Sequence, residues 1–193
     1  MFLYNEVQKR EANQQRVKVG LIGAGKFGSM FLSQIPSSVG LEIISIVDIS
    51  IENAKKNCRD VGWTEERIAS VLFFDNLKKM VSETKIDVLV EATGDPIEGT
   101  KHALTAIEEG LDIVMVNVEA DVLCGPYLAK RAEKAGVVYS MAYGDQPALT
   151  TELVEWARAS GFNVVAAGKG TKYLPQYHYS TPDTVWDYYG LNR

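Results

Sequence analysis

The stretch richest in chemistry is Gly23-Ala24-Gly25-Lys26-Phe27-Gly28, a G-x-G-x-x-G spacing. Glycines at these intervals let a backbone turn tightly, approach a bulky anion and pack a helix closely on the preceding strand. A pyrophosphate suits such a turn, held by free N–H groups and by the positive end of the following helix. Asp48 stands about twenty residues beyond Gly28, where a carboxylate accepts hydrogen bonds from ribose hydroxyls. Lys26 and Phe27 belong to the same turn and are candidate cofactor contacts with Gly23, Gly25, Gly28 and Asp48.

Two later strings add to the candidate cleft. Ala92, Thr93 and Gly94 follow an apolar run and are small enough for the backbone to lie along a dinucleotide, and the Asn117 amide can hydrogen-bond a nicotinamide ribose or carboxamide. Hydride transfer at a carbonyl also needs a proton donor or acceptor and a charge complement for the substrate. Glu119, Asp145, Lys169 and Lys172 follow expected strand ends and are the candidates for these tasks. Lys169, between two glycines, and Lys172 suit an anionic substrate group. Asp145, just ahead of Pro147, also fits an N-terminal capping carboxylate. His102, four residues after Glu98, reads as a solvent-side histidine of an i,i+4 pair, and His178 lies among tyrosines.

Positioning these groups takes regularly alternating elements. Val/Ile-rich runs at Val17–Ile22, Leu41–Val47, Ser70–Phe73, Ile86–Glu91, Ile113–Val116 and Val137–Met141 are continuously apolar, as strands covered on both faces are. Helical patterns separate them: Asp95-Pro96 caps one that Gly110 ends, Gly125-Pro126 opens another after a turn at Asp121–Cys124, and Pro147 opens a third that ends at Ser160-Gly161. The order is that of an α/β doubly wound parallel sheet, and with the glycine turn between the first strand and helix it is a Rossmann domain. A short amphipathic helix with a Glu6–Arg10 pair precedes it, and Phe162–Ala167 reads as one further strand before an aromatic, unpatterned tail. The expected organisation is a helical segment at 1–16, a dinucleotide-binding domain at 17–161, and at 162–193 the start of a second, incomplete substrate or dimerisation domain.

Composition narrows the partners. The 193 residues carry 20 Lys+Arg against 25 Asp+Glu, a formal net charge of −5, with the basic residues scattered. That distribution argues against nucleic acid, and no run of about 20 apolar residues is present to cross a membrane. Cys58 and Cys124 are too far apart for a C-x-x-C pair and two histidines leave little for a metal cage, so no metal site is expected and a reduced cytoplasmic setting is. The Asp48 carboxylate repels a 2′-phosphate and favours NAD, while Lys55, Lys56 and Arg59 keep NADP open.

Four strings together, Val19–Gly28, Val90–Gly94, Ile113–Asn117 and Gly168–Thr171, resemble the homoserine-dehydrogenase-like oxidoreductases. The closer resemblance is to the branch with a C-terminal SAF domain, which includes a 1-deoxy-D-xylulose 5-phosphate reductoisomerase-like enzyme. The resemblance implies an NAD(P)-dependent oxidoreductase acting on a small hydroxy or carbonyl substrate, a substrate and dimerisation domain opening at Phe162–Thr171, and a homo-oligomer or an association with a missing C-terminal domain. An NADP-linked activity on a sugar phosphate and a dinucleotide-binding module without turnover are the alternatives. The sequence departs from homoserine dehydrogenases at Val118, where they carry a Lys after the Asn, and at Tyr143-Gly144-Asp145-Gln146-Pro147. Both departures point away from homoserine itself as the substrate.

Overall fold

The apolar runs become the strands of one parallel sheet. A computed structural model describes residues 3–144 and 146–168, with Pro175, Tyr179, Thr181, Asp183 and Thr184. Among these residues, β1 (Val17–Ile22), β2 (Leu41–Val47), β3 (Leu72–Phe74), β4 (Val88–Glu91), β5 (Asp112–Met115) and β6 (Tyr139–Met141) lie in the order β3-β2-β1-β4-β5-β6. Every pairing is parallel, and β1 sits between β2 and β4. The helices are α1 (Leu3–Ala12), α2 (Lys26–Gln34), α3 (Ile51–Asp60), α4 (Glu65–Ala69), α5 (Leu77–Glu83), α6 (Pro96–Glu108), α7 (Val118–Ala135) and α8 (Gln146–Ala159).

Two cores cover the sheet, which is why the strands are apolar without alternation. Ile22, Leu89, Ile113 and Met115 face Met80, Ala103, Ala106, Leu128 and Ala132. Leu21, Ile46 and Val90 face Leu32, Ala54, Cys58 and Trp63 on the other side. Trp63 keeps its indole N–H satisfied there, donating to the Leu32 carbonyl at 2.8 Å. Burial pushes the Cys58 thiol up to about 11, whereas Cys124 is only partly buried. At pH 8 only about one Cys58 in a thousand is then thiolate. Native-state iodoacetamide labelling read by mass spectrometry is expected to modify Cys124 well before Cys58, and the reverse order would contradict this packing.

Local chemistry moves several expected boundaries. Ser70 is the C-cap of α4 rather than the start of a strand, and Thr64 caps the other end of that short helix by accepting from the Arg67 N–H. The expected turn at Asp121–Cys124 is helix: α7 starts at Val118 and kinks at Cys124, where φ is −149°. Pro126 explains the kink, since its ring excludes the normal helical path past the preceding turn. Glu6 pairs with Lys9 instead of Arg10, while Glu11 binds Arg16 and accepts the Gly40 N–H at 3.0 Å. Gly40 has φ +75°, and a β-carbon there would stand 2.7 Å from the Val7 carbonyl oxygen, so glycine is what lets α1 lie against this turn.

The chain divides into two compact units, 1–145 and 146–193. In this division α8, which the sequence pattern assigns to the end of the nucleotide domain, groups with the C-terminal residues. Phe162–Ala167 forms no strand. Apolar content alone does not make one, since a strand exists only by pairing with a neighbour, and none pairs with it among the described residues. No described helix is long and apolar enough to cross a membrane.

Candidate functional site

The strand order reverses between β1 and β4, and in open α/β sheets ligands bind outside the carboxyl ends of the strands at that point. Backbone bonds draw three strand ends together there: the Gly23 N–H donates to Val47 O and the Ala92 N–H to Ile22 O, each at 2.8 Å. Gly23 has φ +88°, and a β-carbon on it would meet Ala92 O at 2.9 Å and Thr93 N at 3.0 Å. Its task is thus twofold, a left-handed turn and close approach to the β4 exit. A β-carbon on Gly28 would overlap the Gly23 carbonyl, so the third glycine seats α2 on the turn.

Gly25 behaves differently. A β-carbon there meets nothing within 4 Å among the described residues. It is the N-cap of α2, makes no side-chain cap bond, and the first turn carries no acidic residue. Lys26 and Phe27 are exposed beside it. The open space at a positive helix end, free of any competing side-chain acceptor, fits a pyrophosphate.

Asp48, the residue after β2, supports this turn. One carboxylate oxygen accepts the Ala24 N–H at 2.9 Å and the other accepts the Ser50 N–H at 2.9 Å. The Asn57 side chain, on α3, donates to the Ala24 carbonyl at 2.8 Å. Both backbone groups of Ala24 are therefore held. Each Asp48 oxygen retains a lone pair, which leaves capacity for ribose hydroxyls. Ile49 is fully exposed next to it, an apolar side chain beside the acid. The role of Asn57 is absent from the sequence reading, because the fingerprint records residue spacing and gives no sign of which α3 side chain reaches back to the turn.

At the β4 and β5 ends the arrangement departs from expectation. Asn117 is buried and serves as the N-cap of α7, accepting the Ala120 N–H at 3.1 Å. Its amide nitrogen donates to Asp95 O at 2.8 Å and Thr93 Oγ1 at 3.3 Å. Both amide hydrogens are thereby directed to protein acceptors, so Asn117 is a structural clamp between the two strand exits, and a contact to nicotinamide would fall to its Oδ1. Gly99 makes room for it, since a β-carbon there would overlap the Asn117 amide. Thr93 and Gly94 are exposed and Ala92 is partly so.

His102 faces inward, not toward Glu98, which pairs with Lys101. Its Nδ1 lies 3.1 Å from Oε1 of Glu91, a carboxylate buried at 0% exposure. Nearby, the Tyr139 hydroxyl donates to Asp121 Oδ1 at 2.9 Å, and burial first, then that carboxylate, raise the Tyr139 pKa. Of the candidate catalytic residues, Glu119 is exposed on the first turn of α7, where a carboxylate also favours the helix end. Asp145, Lys169 and Lys172 lie outside the described residues, as does His178. No group of metal-ligating side chains occurs among the described residues.

Two protein families match the chain. The one described as "Oxidoreductase family, NAD-binding Rossmann fold" matches residues 17–143, about two thirds of the chain. "Oxidoreductase DRL, catalytic domain" matches residues 144–191. The change of family falls where the two compact units divide. Comparison with curated protein sequences finds no match. Among solved structures, the WlbA dehydrogenase from Bordetella pertussis in complex with NADH and UDP-GlcNAcA is similar with a TM-score of 0.54 at 20% identity, over 76% of this chain and 40% of that one. A myo-inositol 2-dehydrogenase from Lactobacillus plantarum gives 0.52 at 14% identity, over 76% and 42%. A homoserine dehydrogenase from Thiobacillus denitrificans gives 0.53 at 18% identity, over 63% and 28%. At these identities the likeness is one of fold, and the chain spans about two fifths of the length of the first of these.

Proposed function

The chain belongs to the oxidoreductase family with an NAD-binding Rossmann fold, and we propose from this premise that it holds NAD at the Gly23–Gly28 turn for hydride exchange with a small hydroxy or carbonyl substrate. The observation that carries the proposal is the open, uncapped N-terminus of α2 at Gly25, at the point where the strand order reverses. NAD supplies the hydride acceptor, or NADH the donor. The protein's own residues bind and orient it: Gly25 and the first turn of α2 take the pyrophosphate, Asp48 the adenosine ribose, and Ala92–Gly94 line the β4 side.

The specificity for NAD over NADP is supported by Asp48, whose carboxylate opposes a 2′-phosphate and whose two oxygens are fixed by Ala24 and Ser50. For the substrate end, the match of residues 144–191 to an oxidoreductase catalytic domain supports substrate-handling residues in that stretch, and the two lysines of Gly168-Lys169-Gly170-Thr171-Lys172 support an anionic substrate, with Lys169 and Lys172 binding it and Asp145 or Glu119 moving the proton. The resemblance of four sequence strings supports a homoserine-dehydrogenase-like relationship without homoserine as the substrate.

Fluorescence titration with NADH and NADPH tests the cofactor assignment. NADH is expected to bind more tightly than NADPH, and Asp48→Ser is expected to narrow the ratio by about tenfold, the scale of one charge-assisted contact plus relief of repulsion. Binding of neither nucleotide sinks the proposal. A preference for NADPH in the wild type would leave the site and refute its specificity. Turnover with a panel of hydroxy acids, hydroxy amino acids and sugar phosphates then assigns the substrate class.

A further inference from the structure

We propose that Asn57 is a positioning residue for the phosphate turn: by holding the Ala24 carbonyl it keeps the Gly25 N–H turned toward the pyrophosphate. The inference rests on the cofactor assignment above and extends it to a residue of α3 that lies outside the dinucleotide fingerprint. Ala24 and Gly25 share one trans peptide plane, so the C=O of the first and the N–H of the second point in opposite directions. The Asn57 amide nitrogen donates to that C=O at 2.8 Å. The N–H at the other end of the plane is therefore directed away from Asn57. It has no hydrogen-bond acceptor among the described residues, and a β-carbon on Gly25 meets nothing within 4 Å among them. A free donor beside open space at the positive end of α2 is what a phosphate oxygen requires.

The plane needs such a hold because glycine lets it turn over. A half-turn of the Ala24–Gly25 peptide would carry φ of Gly25 from −68° to about +110° while ψ stays at −156°, a region essentially closed to residues with a β-carbon and open to glycine. The second glycine of the fingerprint thus admits two orientations of this peptide. In one an N–H meets the ligand, and in the other a carbonyl oxygen does, whose partial negative charge repels a phosphate. Asp48 does not choose between them, since the Ala24 N–H that it accepts at 2.9 Å belongs to the preceding peptide plane. The Gly25 carbonyl, which accepts the Ser29 N–H at 2.8 Å, belongs to the following one. Among the described residues, Asn57 is the one side chain that grips the plane in question.

The test is isothermal titration calorimetry of the full chain with NADH and with ADP-ribose, both of which carry the pyrophosphate, beside the NMR amide resonance of Gly25 in isotope-labelled protein. In the wild type ADP-ribose is expected to move the Gly25 amide proton downfield, as a charge-assisted hydrogen bond does. Asn57→Leu is expected to weaken both ligands by about tenfold and to abolish that downfield move, and Asn57→Gln, which keeps the donor, to hold both affinities within about threefold of wild type. A merely structural Asn57 would lower the urea midpoint of Asn57→Leu and leave the affinity of the folded protein as it was. Unchanged NADH affinity in Asn57→Leu, a downfield move that persists in it, or an equal loss in Asn57→Gln overturns the inference. The wild-type resonance decides even where Asn57→Leu does not fold: ADP-ribose that binds without moving the Gly25 amide downfield overturns this inference alone. A wild-type chain that binds neither ligand overturns the underlying cofactor assignment.

Discussion

Gly25→Trp is expected to leave the protein folded and to remove NADH binding, weakening it by more than about a hundredfold. A clash with a buried phosphate and loss of two or more N–H contacts together exceed about 3 kcal/mol, which is that factor. The position separates binding from stability unusually well. Its φ of −68° is open to any residue, and a β-carbon there meets no atom of the described residues within 4 Å, so the indole extends into the space reserved for the ligand. The melting temperature should therefore stay within about 2 °C of wild type. Gly28→Ala is the contrasting control, since its β-carbon would strike the Gly23 carbonyl and stability falls with binding. Wild-type NADH affinity in Gly25→Trp would mean that the phosphate lies elsewhere.

The second large effect belongs to Asn117. Asn117→Leu removes the acceptor that caps α7 at Ala120 and the donor that holds Asp95 O, in a side chain only 1% exposed. Loss of the cap costs about 1 kcal/mol and the unmatched polar groups about 2 kcal/mol more, so a destabilisation of about 3 kcal/mol is expected from urea unfolding. Gly99→Ala should reproduce part of the effect from a different helix, because its β-carbon would displace the same amide. Destabilisation under about 1 kcal/mol in Asn117→Leu would show that the clamp between the strand exits carries little of the stability.

What the sequence discloses here follows from how local each feature is. The first two strands, the glycine turn and Asp48 are legible because their chemistry is written in contiguous residues: continuous apolarity, φ-permissive glycines and a fixed spacing to an acid. The Asp95 cap and the left-handed stops at Gly110 and Gly136 are local in the same way. Glu91 and His102 are different. Spacing suggests Glu98 for His102, and only the packing of α6 against β4 turns the imidazole inward to a carboxylate eleven residues back. Asn117 is read as a ligand-facing amide because its place at a strand end is visible, while the helix that begins immediately after it, and claims its side chain, is hidden by the Gly125-Pro126 signal. The strand expected at Phe162–Ala167 fails for the converse reason, as composition there is strand-like and no strand pairs with it among the described residues.

The central place of β1 also dictates an order of assembly. Its Val19–Ile22 segment aligns with Val88–Glu91 of β4, across about seventy intervening residues, and Ile22 O accepts the Ala92 N–H. The phosphate turn that follows β1 is thus not braced on its β4 side until β4 has docked, even though every glycine in it is made early in synthesis. Parallel pairings of this separation form late and slowly. A nascent chain that stopped before Glu91 would carry the complete glycine fingerprint and half of the support that shapes it, so affinity for the dinucleotide should arise as a late step of folding, together with docking of the fourth strand.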